Sequence, residues 1–225
     1  MKFLLSIILS LLIHHTTILA QNPQPAAQSG ADEGEKWWAE VEVLAKNTAQ
    51  LKKVRYDETN ALFREIETEA WQEVSKTPSR TITEIKASLL KKAEPEFAAI
   101  KKRYDPQIAV ALDKYLASLS RVNQPDVPNV PLEKATMSLK PTILFTEKAR
   151  YTEAARQERV QGTVQLSIVF LRNGTIGNIA VVRGLPNGMN EEAIKVAKEI
   201  VFLPARKNRN LVTIKMLIEY VFNLI

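Results

Sequence analysis

Apolar residues recur along the first half of the chain at Trp38, Val41, Leu44, Leu51, Val54, Leu62, Ile66, Ala70 and Val74. Steps of three, four, seven and eight place them on one stripe of a long helix. Forty such residues would extend about 60 Å. Lys76-Thr77-Pro78-Ser79-Arg80-Thr81 breaks the pattern. Thr81 or Thr83 can then cap a second helix carrying Ile82, Ile85, Leu89 and Leu90. Pro95 and Pro106 each suit the first residue of a new helical turn, and Phe97, Ile100, Tyr104, Ile108, Leu112, Tyr115 and Leu116 continue the apolar face. Residues 35–120 therefore read as an antiparallel helical hairpin or small bundle. A coiled-coil dimer would bury the same stripe, although no clean heptad persists to demand it.

The period changes after residue 140. Residues 147–157 suit a short helix with Ala154 and Ala155 inside. Val164, Leu166, Ile168 and Phe170 alternate on one face of a strand that ends at Asn173-Gly174, a dipeptide suited to a two-residue hairpin turn. The hairpin role explains Asn173-Gly174-Thr175 better than a glycosylation site does. A second strand runs from Thr175 and Ile176 through Val182. Asn190 suits an N-cap, with Glu191 and Glu192 at the positive end of the helix dipole and Ala193, Ala197 and Ile200 on one side. Phe202-Leu203-Pro204-Ala205 ends this helix, and residues 206–210 form a basic turn. In the last strand Val212, Ile214, Met216, Ile218, Tyr220 and Phe222 alternate with more polar neighbours. One apolar face and one mixed face describe a sheet covered on one side. The prediction is an α+β chain whose C-terminal domain has a three-stranded antiparallel sheet and two helices.

Between these regions Pro125, Pro128 and Pro131 recur every third residue, as in an extended polyproline-like strut. The boundaries that follow are a leader at 1–20, a flexible tether at 21–34, helices at 35–120, a Pro-containing linker at 121–140 and a C-terminal domain at 141–225. In the leader, Lys2 precedes an apolar core of about eleven residues, the length of a signal-peptide core and short of a spanning helix. Cleavage after Ala20 is the favoured reading. An uncleaved inner-membrane anchor is the alternative, with His14, His15, Thr16 and Thr17 in or near the bilayer at a cost. Either way the chain is exported, and the expected compartment is the periplasm.

Chemistry narrows the function further. The chain has no cysteine, and its only 2 histidines lie in the leader. This composition excludes Cys–His nucleophiles, Ser–His triads and ordinary zinc sites from the mature chain. Carboxylate pairs or a Ser–Lys dyad remain, and no spacing singles one out. The expectation is a protein that is not an enzyme, with no catalytic residue, cofactor or metal. Residues 141–225 carry 12 basic and 7 acidic side chains, a surplus of +5 within a net charge of +6. Spread out in this way, the charge does not form the clustered stripe that nucleic acid demands. Trp37, Trp38 and Trp71 fit core or dimer packing better than a ligand box.

Tyr151 with Ala154-Ala155-Arg156, Gly162-Thr163-Val164, Asn173-Gly174, Val181-Val182-Arg183-Gly184, Asn187-Gly188-Met189-Asn190, Ala193, Phe202-Leu203-Pro204-Ala205 and Tyr220-Val221-Phe222 together resemble the TonB C-terminal domain. Their order and spacing carry the resemblance. Thr152 stands where the family usually has proline, and Met189-Asn190 where it often has Leu-Asp. The resemblance implies an energy-transducer-like adaptor that contacts an outer-membrane TonB-dependent transporter, whose short segment adds as a strand to the sheet edge. It also implies an inner-membrane motor of the ExbB–ExbD type. By this analogy partner binding falls on Thr213, Ile214, Lys215, Met216, Leu217, Ile218, Glu219 and Tyr220. A free periplasmic module recognising peptidoglycan or another envelope protein is the alternative. Oligomeric state is not specified.

Overall fold

A computed structural model describes residues 29–121, 140–207 and 210–224. The leader, residues 21–28 of the tether and residues 122–139 of the linker lie outside the described residues. The apolar stripe forms α1 (Ser29–Lys76), which starts inside the segment expected to be a tether. A turn at Pro78 leads to α2 (Ile82–Lys92). Thr81 caps it with a full capping box: its hydroxyl accepts the Glu84 N–H at 3.3 Å, and the Glu84 carboxylate accepts the Thr81 N–H at 2.8 Å. These bonds to the charged form hold the Glu84 carboxyl below its ordinary pKa.

The next helix, α3 (Glu94–Ser120), has Pro95 in its first turn and runs through Pro106 without interruption. Its flanking residues are tied to α1, Tyr104 to Glu58 and Asp105 to Arg55 at 2.9 Å. The helices run antiparallel. Trp37 of α1 donates its indole N–H to the Ser118 carbonyl at 3.0 Å, and Phe63 meets Phe97 at 4.7 Å between ring centroids. Ile66 and Ala70 pack with Ile85, Leu89 and Ala93 toward the turn. Trp37 and Trp38 join the packing, but Trp71 is 62% exposed and lies outside the core of the chain, which leaves dimer packing of the two roles expected of it.

The C-terminal elements are β1 (Thr142–Phe145), α4 (Glu153–Gln157), β2 (Gly162–Phe170), β3 (Ile176–Arg183), α5 (Met189–Ala197), β4 (Val201–Leu203), β5 (Ala205–Lys207), β6 (Asn210–Val212) and β7 (Ile214–Phe222). The main sheet has the order β3-β2-β7, antiparallel throughout. As expected, Val164, Leu166, Ile168 and Phe170 face the core, where they meet Met189, Ala193, Val196 and Ala197 of α5.

Several local expectations change. The first helix is confined to Glu153–Gln157, because Thr152 is its N-cap and accepts the Ala155 N–H at 3.0 Å. Asn190 is not an N-cap. Gly188 takes that position with φ 78°, while Asn190 accepts the Leu185 N–H at 2.9 Å and fastens the preceding loop. The Asn173-Gly174 connection has three loop residues rather than two. Leu171 accepts the Gly174 N–H and donates to Thr175, both at 3.0 Å, which needs the positive φ of Gly174. Phe202 does not plug a helix end: α5 stops at Ala197, and Phe202 sits fully buried in β4 paired with Ile143 of β1.

Residues 35–225 form one compact unit. Val41, Ala45, Tyr115 and Leu119 of the hairpin share a cluster with Leu203 of β4 and Leu211 of β6. At its centre the Tyr115 hydroxyl donates to the Phe202 carbonyl at 2.5 Å. Around it, Lys52 donates to the Glu199 carbonyl at 3.0 Å and carboxylate at 2.7 Å, and Arg55 reaches Glu147 at 3.3 Å. Thus one face of the domain is covered by the helices.

Candidate protein-binding edge

Strand β7 forms because its alternation buries Ile214, Tyr220 and Phe222 while Lys215, Leu217, Glu219 and Val221 point away from the core. Met216 and Ile218 on the core side are half-buried. The strand pairs with β2 from Gly162↔Phe222 to Phe170↔Ile214 in unbroken register. On its other side no strand among the described residues pairs with it. Nine residues, five of them β-branched or aromatic, therefore present a row of backbone donors and acceptors, which is the requirement for strand addition.

The sheet has a second edge, at β3. There the register with β2 shifts twice, between Gln165 and Leu166 and between Ile168 and Phe170. Such irregularities bend a strand and spoil it as a template. The straight edge is β7.

Of the eight residues assigned to partner binding from the sequence, Ile214 through Tyr220 lie in β7. Thr213 does not. It separates β6 from β7, and its hydroxyl accepts the Arg172 N–H at 3.2 Å, so it secures the β2–β3 loop. Val221, outside those eight, continues the same exposed face; it is 62% exposed, next to Leu217 at 46%. The unbroken alternation through Phe222 was its signal in the sequence. Between them Glu219 accepts a hydrogen bond from Gln165 at 3.1 Å. The Tyr220 phenol is shielded from water, and burial raises its pKa.

The chain has charged side chains on both sides of Leu217, and they limit indiscriminate pairing. Among the described residues no group of three or more His, Cys, Asp or Glu side chains is arranged to hold a metal. No described helix is long and apolar enough to cross a membrane.

Residues 147–224 match the family described as Gram-negative bacterial TonB protein C-terminal. The solution structure of the Pseudomonas aeruginosa TonB C-terminal domain is similar at 18% identity over 43% of this chain and 96% of its own length, with a TM-score of 0.31. No curated protein matches the chain. The family match covers α4, α5 and the whole three-stranded sheet, and leaves the hairpin and β1 outside it. Thr152, in place of the family's usual proline, caps α4 and donates to the Asn187 carbonyl at 2.7 Å, so the departure keeps the local fold closed. Domains of this family serve protein interaction in the bacterial envelope. Residues 147–224 of this chain, whose sheet has β7 at its edge, match the TonB C-terminal domain family.

Proposed function

We propose that this protein is a TonB-like adaptor of the periplasm and that its C-terminal domain engages an outer-membrane TonB-dependent transporter. An extended segment of the transporter adds to the sheet along β7, with main-chain hydrogen bonds supplying affinity and alternate side chains supplying specificity. The observation that carries this reading is the edge position and unbroken register of β7 in a domain of this family. Met216 and Ile218 are half-buried there, and an apolar side chain on the incoming strand would complete their burial.

Because the chain contains no cysteine, single cysteines can be placed one at a time. Leu217→Cys and Val221→Cys should cross-link to cysteines along the amino-terminal segment of a transporter in a fixed register, whereas Val182→Cys on β3 should not. Cross-linking through Val182→Cys alone would overturn the assignment of the edge.

A second reading is a free periplasmic module that binds peptidoglycan or another envelope protein without transmitting force. The docked hairpin favours it, since the helices are folded against the binding domain rather than drawn out as a spacer. Mass analysis of the amino terminus in membrane and soluble envelope fractions separates the two. A soluble chain starting near Gln21 supports the free module; an intact start in the inner membrane supports an anchored transducer, for which an ExbB–ExbD-type motor becomes the partner to seek.

A further inference from the structure

Away from β7, the segment between β1 and α4 runs along α1. The Lys148 N–H donates to the Tyr56 hydroxyl at 3.2 Å, and the Arg150 guanidinium lies over the Phe63 ring at 3.7 Å. Beside this segment is an open cleft of about 640 Å³ between α1, α2 and α4. That volume falls within the range of small-molecule sites. Tyr56, Phe63 and Leu90 supply apolar lining, and Leu90 is 37% exposed.

The polar lining is unbalanced. The cleft is lined by Arg64, Lys86, Lys148, Arg150 and Arg156 and by Asp57, Glu67 and Glu153, five cations against three carboxylates, or +2; Glu147 and Glu192 lie beyond this lining on the other side of Arg150. Glu67 is shared by Lys86 at 3.4 Å and Arg156 at 3.9 Å, and Asp57 is held by Lys53 at 2.5 Å. Among the described residues no carboxylate lies within 4.0 Å of Arg64, Lys148 or Arg150.

Arg150 is the centre of this surplus. Its side chain is half-buried, held flat by Phe63, and donates one hydrogen bond, to the Asn60 side-chain oxygen at 2.9 Å. A guanidinium has five N–H donors in a rigid fork that fits carboxylate and phosphate oxygens. The remaining donors have no acceptor among the described residues. Burial depresses the Arg150 pKa, and the more distant Tyr56, Glu147 and Glu192 offset this only in part, so an anion in direct contact would relieve an existing cost.

We propose that this cleft binds a small organic anion, a carboxylate or phosphate monoester whose charged group meets Arg150 and whose apolar part lies along Tyr56 and Leu90. The site is built by the helices together with the TonB-like domain, and it is independent of strand addition at β7.

Phenyl phosphate and its neutral counterpart benzamide are suitable probes, titrated into the full chain by calorimetry with no transporter present. Phenyl phosphate should bind saturably at one site and benzamide should not. Arg150→Gln should weaken phenyl phosphate by about tenfold or more, as expected for loss of a charge-assisted hydrogen bond. Arg103→Gln, on α3 and outside the cleft lining, should leave binding unchanged. Should Arg150→Gln fail to fold, the exposed Arg64→Gln and Lys148→Gln variants give the same reading through weaker binding. Absence of saturable binding to the wild-type chain, equal binding of benzamide, or unchanged affinity in the folded cleft variants would overturn the proposal.

Discussion

Replacing Gly174 with alanine tests whether the hairpin rests on the sheet as described. Gly174 is buried in the β2–β3 loop with φ 83°, and a Cβ there would stand 2.6 Å from Leu119 Cδ1 and 3.1 Å from both Leu116 Cδ2 and the Tyr115 hydroxyl. Two costs follow. The left-handed backbone costs an alanine about 1–2 kcal/mol, and forcing α3 away from the loop about 1–3 kcal/mol more. At about 2–4 °C per kcal/mol for a protein of this size, the melting temperature should fall by about 4–20 °C. Urea denaturation followed by far-UV circular dichroism gives the free energies. Leu119→Ala destabilises by about 2–5 kcal/mol on its own account but makes room for the new methyl group. In that background the worst clash is gone, and Gly174→Ala should cost less, approaching the backbone share of about 1–2 kcal/mol. An equal cost in both backgrounds would refute the packing of α3 on this loop.

Other consequences concern the same interface and the helix caps. Tyr115→Phe removes the donor to the buried Phe202 carbonyl and should cost about 1–3 kcal/mol in the same denaturation assay. Burial raises the pKa of Tyr115, and those of Tyr104 and Tyr220 rise with burial as their largest cause. A phenol whose folded pKa exceeds its unfolded value near about 10 stabilises the fold fully below that pH. Stability should thus fall as pH rises above about 10, and Tyr115→Phe should flatten the decline; an unchanged alkaline profile in that variant would contradict the assignment. Thr81→Ala should cost about 1 kcal/mol through loss of the capping box, with faster amide exchange confined to the first turn of α2.

The sequence carried the periodic elements because their side chains meet one apolar surface each. The stripe of α1, the alternation of β2 and the alternation of β7 all reappear in the structure. Short elements carried no such period: β1, β4, β5 and β6 have three or four residues each, and their pairings depend on distant partners. The break at Thr213 was hidden because β6 and β7 keep the same alternation across it. Asn190 has the chemistry of a cap, but the chain enters α5 through left-handed Gly188, which leaves the Asn190 amide to hold the loop. Docking of the hairpin was invisible for a related reason. Tyr115 and Leu119 read as ordinary members of a helical stripe, and only the fold brings them to Phe202 and Gly174. At the site, the strand could be read and its edge position could not, since edges are set by topology.

The central claim is that β7 receives a partner strand. Amide hydrogen exchange, resolved by residue on the full chain with and without a peptide from the amino-terminal segment of an outer-membrane transporter, tests it most directly. The account predicts slowed exchange at alternate amides of Ile214–Phe222, the ones not already bonded to β2, with Ile176–Arg183 unchanged. Binding with no added protection in β7, or with protection along β3 instead, would contradict it.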